Sequence, residues 1–389
     1  MRHGVEGELF AIPARALGGL FIFATALSLW HNAFNLQQMD FISFWAAARL
    51  ALDGNPAAAW DIAAHKAVQD GLRQFTGLMS FAYPPPFLLM LLPFGLLPYV
   101  LAAPVWIAGS YAALFAAARR LLPDSGWLIA AFPPVLLNGI VGQNGMLTAA
   151  LFIAGALALP KRPFLAGLLL GCLVIKPQLA LLLPFALAAG REWRAFAGAA
   201  CSSLGLLLLA LLAFGSQAYA AMFEIAPFYS RIAADGLSGW HKMASVYASL
   251  RLAGLPATLA WAGQGAAALA AAALVCAIWR RDLETPAKVA ALAAGSMLVS
   301  PYLYIYDMVL LIAPFFWLAA QGEDRRLLAA LWCLPLVGIA QMWGFNDTVN
   351  LMPLAPAALL FLLARRLLAT GSPPAPAPSS RAPAAPSLR

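Results

Sequence analysis

Residues 163–189 read PFLAGLLLGCLVIKPQLALLLPFALAA and are apolar except around Lys176. An apolar run of roughly 20 residues is long enough to cross a bilayer as a helix. The whole chain is 63% hydrophobic and only 10% charged, whereas a soluble domain has roughly a quarter charged residues. This composition excludes a water-soluble globular protein and indicates a helical membrane protein.

Comparable apolar segments cover most of the remaining chain. They are 14–33, 86–118, 127–159, 195–214, 257–279, 287–300, 307–320, 327–343 and 352–368. Several are long enough to divide, so we predict on the order of 10 to 13 helices. The expected fold is an all-α polytopic transmembrane helix bundle in one membrane domain over residues 1–370. Residues 371–389 are rich in Pro and Ala and are predicted to form a disordered cytoplasmic tail.

The net charge of +8 comes from short basic clusters between apolar segments, so it predicts membrane topology and no nucleic-acid partner. The clusters are Lys161/Arg162, Arg191/Arg194, Arg280/Arg281/Lys288, Arg325/Arg326 and Arg365/Arg366. The positive-inside rule places them in the cytoplasm and segments 34–85, 215–256 and 300–307 outside. The orientation of residues 84–160, with Arg119 and Arg120, stays open.

The first outward segment contains MDFISFWAAARLALDGNP at 39–56 and AAAWDIAAHKAVQDGLRQF at 57–75. Both have apolar residues at helical spacing with polar residues opposite. This pattern predicts two amphipathic helices on the membrane surface.

Asp40 follows the first membrane helix and precedes the first amphipathic helix. A half-desolvated carboxylate has a raised pKa and is a candidate general base for a hydroxyl acceptor. Asp is also a good N-cap for a helix that begins at Phe41. The two roles are compatible, and the sequence alone favours neither.

Lys176 is the cation within the apolar segment 163–189. Because an intramembrane charge is expensive, it indicates a functional site, with a lipid phosphate as the natural partner at a membrane edge. The alternative is a lysine that snorkels from a helix end. Gln143 and Asn144 mark a break between two apolar runs, where amides either bind substrate hydroxyls or cap a turn.

Aromatic and polar residues gather at the other predicted outward boundaries. Tyr83 precedes a proline-initiated helix, and Tyr302, Tyr306 and Asp307 lie in SPYLYIYDMVLL at 300–311. An aromatic belt would explain the tyrosines, but Asp307 begins an apolar run. His241 and Lys242, beside Trp240, suit sugar or phosphate contact, and a surface anchor is the alternative.

The chain has no nucleotide-binding P-loop motif, no dinucleotide fingerprint and no H-E-x-x-H, which leaves an ATP-driven pump, a dinucleotide enzyme and a zincin unsupported. The order of its motifs instead resembles the integral-membrane glycosyltransferases of family 87 (domain of unknown function 2029) in the GT-C superfamily. The motifs are MDFISFWAAARLALDGNP, FAYPPPF, VGQNGMLTAALFIAGAL, AGLLLGCLVIKPQLALLLP, WHKMASVYASLRLAG and SPYLYIYDMVLL. The resemblance covers residues 14–368.

The resemblance implies a GT-C fold with an active site on the outward face of a bacterial-type plasma (inner) membrane. The donor would be a hexose, most often mannose, on polyprenyl phosphate, and the acceptor a lipid or glycan. Asp40 would be the catalytic base of an inverting displacement. Lys176, His241 and Lys242 would contact the carrier phosphate, and Tyr83, Gln143, Asn144, Tyr302, Tyr306 and Asp307 would contact substrate. No tightly bound cofactor is implied, and a metal requirement stays open.

The sequence leaves two other functions to consider. A transporter or flippase of a lipid-linked substrate would need polar residues along a path through the bilayer, whereas here they gather at outward helix boundaries. A structural scaffold would leave Asp40 and Lys176 replaceable.

Overall fold

A computed structural model describes residues 2–35, 39–72, 77, 79–123, 125–342, 344 and 348–369. The described chain is built from helices and contains no β-strand, only an isolated bridge between Met243 and Tyr304. The predicted tail 371–389 lies outside the described residues.

The first third of the chain forms α1 (Arg2–Asn35), α2 (Phe41–Leu52), α3 (Ile62–Leu72), α4 (Pro85–Gly95), α5 (Tyr99–Ala118) and α6 (Gly126–Ala130). The middle forms α7 (Pro133–Val141), α8 (Gly145–Ala158), α9 (Pro163–Gly171), α10 (Pro177–Ala180), α11 (Leu183–Ala189) and α12 (Trp193–Ala234). The last third forms α13 (Val246–Leu252), α14 (Ala257–Trp279), α15 (Thr285–Val299), α16 (Ile312–Ala320), α17 (Arg325–Gln341) and α18 (Leu354–Ala369). Segments of 3₁₀-helix are Pro56–Trp60, Cys172–Ile175, Trp240–Lys242 and Ile305–Leu311.

Four described segments are long and apolar enough to cross a membrane: Pro13–His31, Tyr99–Ala118, Trp193–Ala234 and Ala257–Trp279. Shorter apolar helices lie end to end, as in Pro163–Ile175 and Ile305–Ala320. Several helices begin with proline at the first position, among them α4, α7 and α9, where the missing N–H costs nothing. The predicted all-α membrane helix bundle is confirmed.

One end of the bundle carries the basic clusters. Arg281 donates to the carbonyls of Leu367 and Leu368 at 2.8 and 3.0 Å, and Arg366 donates to that of Gln321 at 2.7 Å. Gly190 packs against Trp279, and Gly198 packs against the backbone of Phe164. These contacts join the turns 159–163, 189–193, 279–285 and 320–325 and the last turn of α18, which we call the basic end.

The opposite end brings together the turns that follow α1, α7, α12, α15 and α17. The backbone N–H of Ala244 donates to the Leu303 carbonyl at 2.7 Å, and Asn350 donates to the carbonyls of Trp240 and Met243 at 2.8 and 2.7 Å. We call this the site end, because the polar residues singled out in the sequence lie there.

The structure settles which end carries Arg119 and Arg120. Helix α5 begins at the site end, where the ring of Tyr99 lies 6.0 Å from that of Phe41. The last turn of α5 packs against Gly126 at the start of α6. Helices α6 and α7 then run back along α1 to Gly142 at the site end. Arg119 and Arg120 therefore lie on the same side as the other basic clusters.

Helix α2 is confirmed as a helix, but it is not on the surface. Phe41, Ile42 and Phe44 are at most 1% exposed, because α2 packs between α4 and the 3₁₀ segment Pro56–Trp60. In α3 the buried residues are His65 and Gln69. Gln69 receives the backbone N–H of Met79 and donates to its carbonyl, which fixes the approach to α4.

Candidate active site

Asp40 lies half-buried in the turn between α1 and α2, outside the four long apolar segments. Its Oδ2 accepts a 2.9 Å hydrogen bond from Nε2 of Gln143. Asp40 occupies the N-cap position of α2, but its carboxylate makes no hydrogen bond to the first turn of the helix. Burial raises the pKa of Asp40, although the Gln143 hydrogen bond and the charges of Lys242 and Lys176 oppose that rise. Asp40 therefore has the environment of a general base.

Gln143 reaches Asp40 because the chain turns sharply between α7 and α8. Gly142 ends α7 with φ of +71°, a left-handed conformation that glycine adopts without strain. Any side chain at Gly142 would collide with Phe41. The Gly142 carbonyl also accepts a 3.0 Å bond from Nε1 of Trp106, which ties the turn to α5.

Tyr83 completes the contacts of Gln143. Its hydroxyl donates to Oε1 of Gln143 at 2.9 Å, and its ring meets that of Phe44 edge-on at 5.2 Å. Pro84 restricts the backbone of Tyr83 to extended conformations, and α4 begins at the next residue, Pro85. Gln143 therefore joins Tyr83 to Asp40 through its two amide atoms.

Lys176 lies between the 3₁₀ segment Cys172–Ile175 and α10. It is only 4% exposed. Its ammonium donates to Oδ1 of Asp307 at 2.5 Å and to Oδ1 of Asn144 at 3.2 Å. It also lies 4.8 Å from the ring centre of Tyr306. The snorkelling alternative is therefore wrong. The positive charge of Lys176 is balanced by a protein carboxylate.

Asp307 is held from its other side by the backbone. Its Oδ2 accepts the N–H of Tyr304 at 3.1 Å and caps the 3₁₀ segment Ile305–Leu311. The rings of Tyr304 and Tyr306 stack at 5.4 Å with an interplanar angle of 12°. Asp307 is thus part of a rigid turn, which fixes the partner of Lys176.

His241 and Lys242 lie half-buried in the 3₁₀ segment Trp240–Lys242. The charge of Lys242 lowers the pKa of Asp40, which places this cation within electrostatic reach of the carboxylate. The ring of Tyr302 lies 6.4 Å from that of Trp261, and Tyr302 belongs to a small cluster with Trp240 and Tyr304. Most of the predicted site residues therefore lie together at the site end, and Tyr302 lies at the edge of this group.

Two buried asparagines that hold the site together were not predicted from the sequence. Asn138 donates to the Tyr306 carbonyl at 2.7 Å, and Asn350 holds the segment 240–243 through two backbone carbonyls. Asn138 could have been predicted, because an amide within an apolar segment is costly unless it has a hydrogen-bond partner. Asn350 lies in an irregular segment and gave none.

The arrangement supplies groups for proton transfer and for anion binding. Asp40 is a half-buried carboxylate with a raised pKa, and Lys242 is a half-buried cation. Within the described ranges, no three His, Cys, Asp or Glu residues lie together in a way that would hold a metal ion. A carboxylate that can accept a proton and a cation that can stabilise developing negative charge are the groups that a transfer reaction needs.

Sequence comparison agrees with this class. The profile of glycosyltransferase family 87 matches residues 81–301, more than half of the chain. The chain belongs to this family and is a membrane glycosyltransferase. No curated protein and no solved structure matches it.

The matched region contains Tyr83, Gln143, Asn144, Lys176, His241 and Lys242. Asp40 and Asp307 lie outside it. They join the matched region through the hydrogen bonds of Gln143 and Lys176.

Proposed function

We propose that the protein transfers a hexose, mannose, from polyprenyl phosphate to a hydroxyl group of a lipid or glycan acceptor. The reaction takes place at the outward face of the plasma membrane and inverts the anomeric centre. The observation that carries this proposal is Asp40, a half-buried carboxylate with a raised pKa that faces the charge of Lys242. A base and a cation at one membrane-embedded end are what transfer from a lipid phosphate requires.

The proposed step is a single displacement. A carboxylate oxygen of Asp40 takes the proton of the acceptor hydroxyl while the oxygen of that hydroxyl attacks the anomeric carbon of the donor. The bond between this carbon and the phosphate oxygen breaks, and its electron pair leaves with the polyprenyl phosphate. Gln143 holds the base through the 2.9 Å hydrogen bond to Oδ2, which leaves Oδ1 for the incoming hydroxyl.

The two lysines take different roles in this proposal. Lys242 is half-buried and neutralises the charge that develops on the leaving phosphate, with His241 beside it. Lys176 is already paired with Asp307, so it acts mainly by fixing Asn144, whose Oδ1 accepts a hydrogen bond from its ammonium. Tyr83, Tyr306 and the outlying Tyr302 offer aromatic faces and hydroxyl groups to the sugar.

The test is transfer of radiolabelled mannose from polyprenyl-phosphate mannose to a total lipid extract by purified protein. We expect product with the native chain and a loss of roughly 10²- to 10⁴-fold in kcat for Asp40→Asn, the contribution typical of a general base. Asp53→Asn is the matched control, because Asp53 follows the same helix α2 but is exposed and paired with Arg49. It should keep full activity.

Three results would count against the proposal. Full activity of the Asp40→Asn variant would show that Asp40 is not the base. Product only from another lipid-linked sugar would replace mannose and keep the transferase mechanism. Movement of the donor across vesicles without any product would favour the transporter instead.

A further inference from the structure

A cavity lies at the basic end, far from Asp40 along the bundle. It has a volume of about 800 Å³ and lies between the C-terminal ends of α11 and α14. Its walls combine Phe185, Trp193 and Cys276 with the guanidinium groups of Arg191 and Arg280. We call it the arginine groove. We propose that the arginine groove binds the headgroup of an anionic glycerophospholipid.

The charges of the groove are not balanced within the protein. Both Arg191 and Arg280 are exposed, and no ion pair of the described residues includes either of them. The neighbouring Arg281, in contrast, is held by the carbonyls of Leu367 and Leu368. Guanidinium groups bind phosphate in a bidentate manner, so two unpaired arginines in one groove complement a phosphodiester.

The apolar walls favour a lipid over a free anion. Phe185 is 61% exposed and Trp193 is 60% exposed. Tryptophan is enriched at membrane interfaces. Phenylalanine beside it offers an apolar surface to an acyl chain. Basic pockets between membrane helices are known sites for acidic headgroups.

The backbone at Arg191 supports a binding role. Its φ of +57° makes it the one residue other than glycine with a left-handed φ among the described residues. This conformation costs an arginine roughly 1 kcal/mol relative to glycine. Helix ends usually place glycine there, and an arginine kept at that cost indicates that its side chain has a function.

The two helix ends at the groove oppose the binding of an anion. The C-termini of α11 and α14 carry partial negative charge, which repels an anion, so the positive charges of the arginines must offset this repulsion. The alternative role for both arginines is to stabilise these helix ends and to set topology. The two roles differ in what they predict for lipid selectivity.

The experiment is native mass spectrometry of the purified full chain with phosphatidylglycerol or phosphatidylcholine added at equal concentration. We expect preferential binding of phosphatidylglycerol, and a loss of about 30-fold in its affinity for Arg191→Gln/Arg280→Gln. Arg119→Gln/Arg120→Gln is the matched control, since it removes two exposed arginines from the same side outside the groove. It should keep the preference. Arg191→Lys/Arg280→Lys keeps the charge and should lose only part of the affinity.

Each other outcome would overturn the proposal. Equal binding of the two lipids, or equal loss in both glutamine variants, would assign the arginines to topology and general charge. Displacement of the lipid by millimolar inorganic phosphate would make the groove a site for a free anion. Mannosyl transfer by each variant serves as the check that it is folded, because the groove lies outside the proposed catalytic residues.

Discussion

The ammonium of Lys176 lies 2.5 Å from Oδ1 of Asp307, and 131 positions separate the two residues in the chain. Both side chains are buried, at 5% and 0% exposure. The pair joins the turn between α9 and α10 to the turn before α16. It therefore fixes two of the segments that surround the proposed catalytic base.

Lys176→Met should destabilise the protein by about 3 to 5 kcal/mol, because it leaves the Asp307 carboxylate buried and unpaired. The double variant Lys176→Met/Asp307→Asn should recover more than half of this loss, since no buried charge remains. The measurement is the free energy of unfolding in mixed detergent micelles. Arg49→Met is the control, because its exposed pair with Asp53 is worth at most about 1 kcal/mol.

A different outcome would reassign Lys176. If Lys176→Met is as stable as the native chain and only the donor KM rises, then Lys176 holds the carrier phosphate directly. The ion pair with Asp307 would then have no structural role.

The pH dependence of kcat/KM should report the environment of Asp40. A base acts in its deprotonated form, so activity falls as the pH drops through its pKa. Because burial raises this pKa above the ordinary 3.8, the acidic limb should lie at higher pH than for an exposed aspartate. Gln143→Leu removes a hydrogen bond that lowers the pKa, so it should move the limb to still higher pH.

The matched control for this profile is Thr148→Val. Thr148 lies one turn into α8 and bonds only to the carbonyls of Asn144 and Gly145, so its loss should leave the acidic limb unmoved. If Gln143→Leu also leaves the limb unmoved, the titrating group is not Asp40.

Lys242→Met should raise the donor KM by roughly 10- to 100-fold, the value of a hydrogen bond to a charged group. It should also move the acidic limb to higher pH, because the charge of Lys242 lowers the pKa of Asp40. Steady-state kinetics with varied donor concentration provide both readouts. Lys161→Met, an exposed lysine at the basic end, should change neither. A drop in kcat alone would show that Lys242 does not bind the donor.

The orientation in the membrane is tested by cysteine labelling. Asn55→Cys and Asp235→Cys place exposed thiols in the two long segments near the site end, and Lys161→Cys places one at the basic end. In a background without Cys172, Cys201, Cys276 and Cys333, an impermeant reagent added to intact cells should label the first two and spare the third. Labelling of the third alone would put the site end in the cytoplasm.

The sequence by itself determined the membrane class, the helical content and the grouping of basic residues. These properties are local, since a run of apolar residues, a proline at a helix start and a basic turn each act through neighbours in the chain. The sequence also pointed to Asp40, Lys176 and Gln143, because a polar residue in an apolar setting is costly and needs a reason.

Only the tertiary structure decided which of these residues meet. Gln143 bonds to Asp40 across 103 positions, Asn138 supports Tyr306 across 168, and α2 is buried between other helices. These contacts depend on how separate helices pack, and helical periodicity carries no information about the distant partner of a side chain. For the same reason the sequence predicted a lipid phosphate as the partner of Lys176, whereas packing pairs it with Asp307.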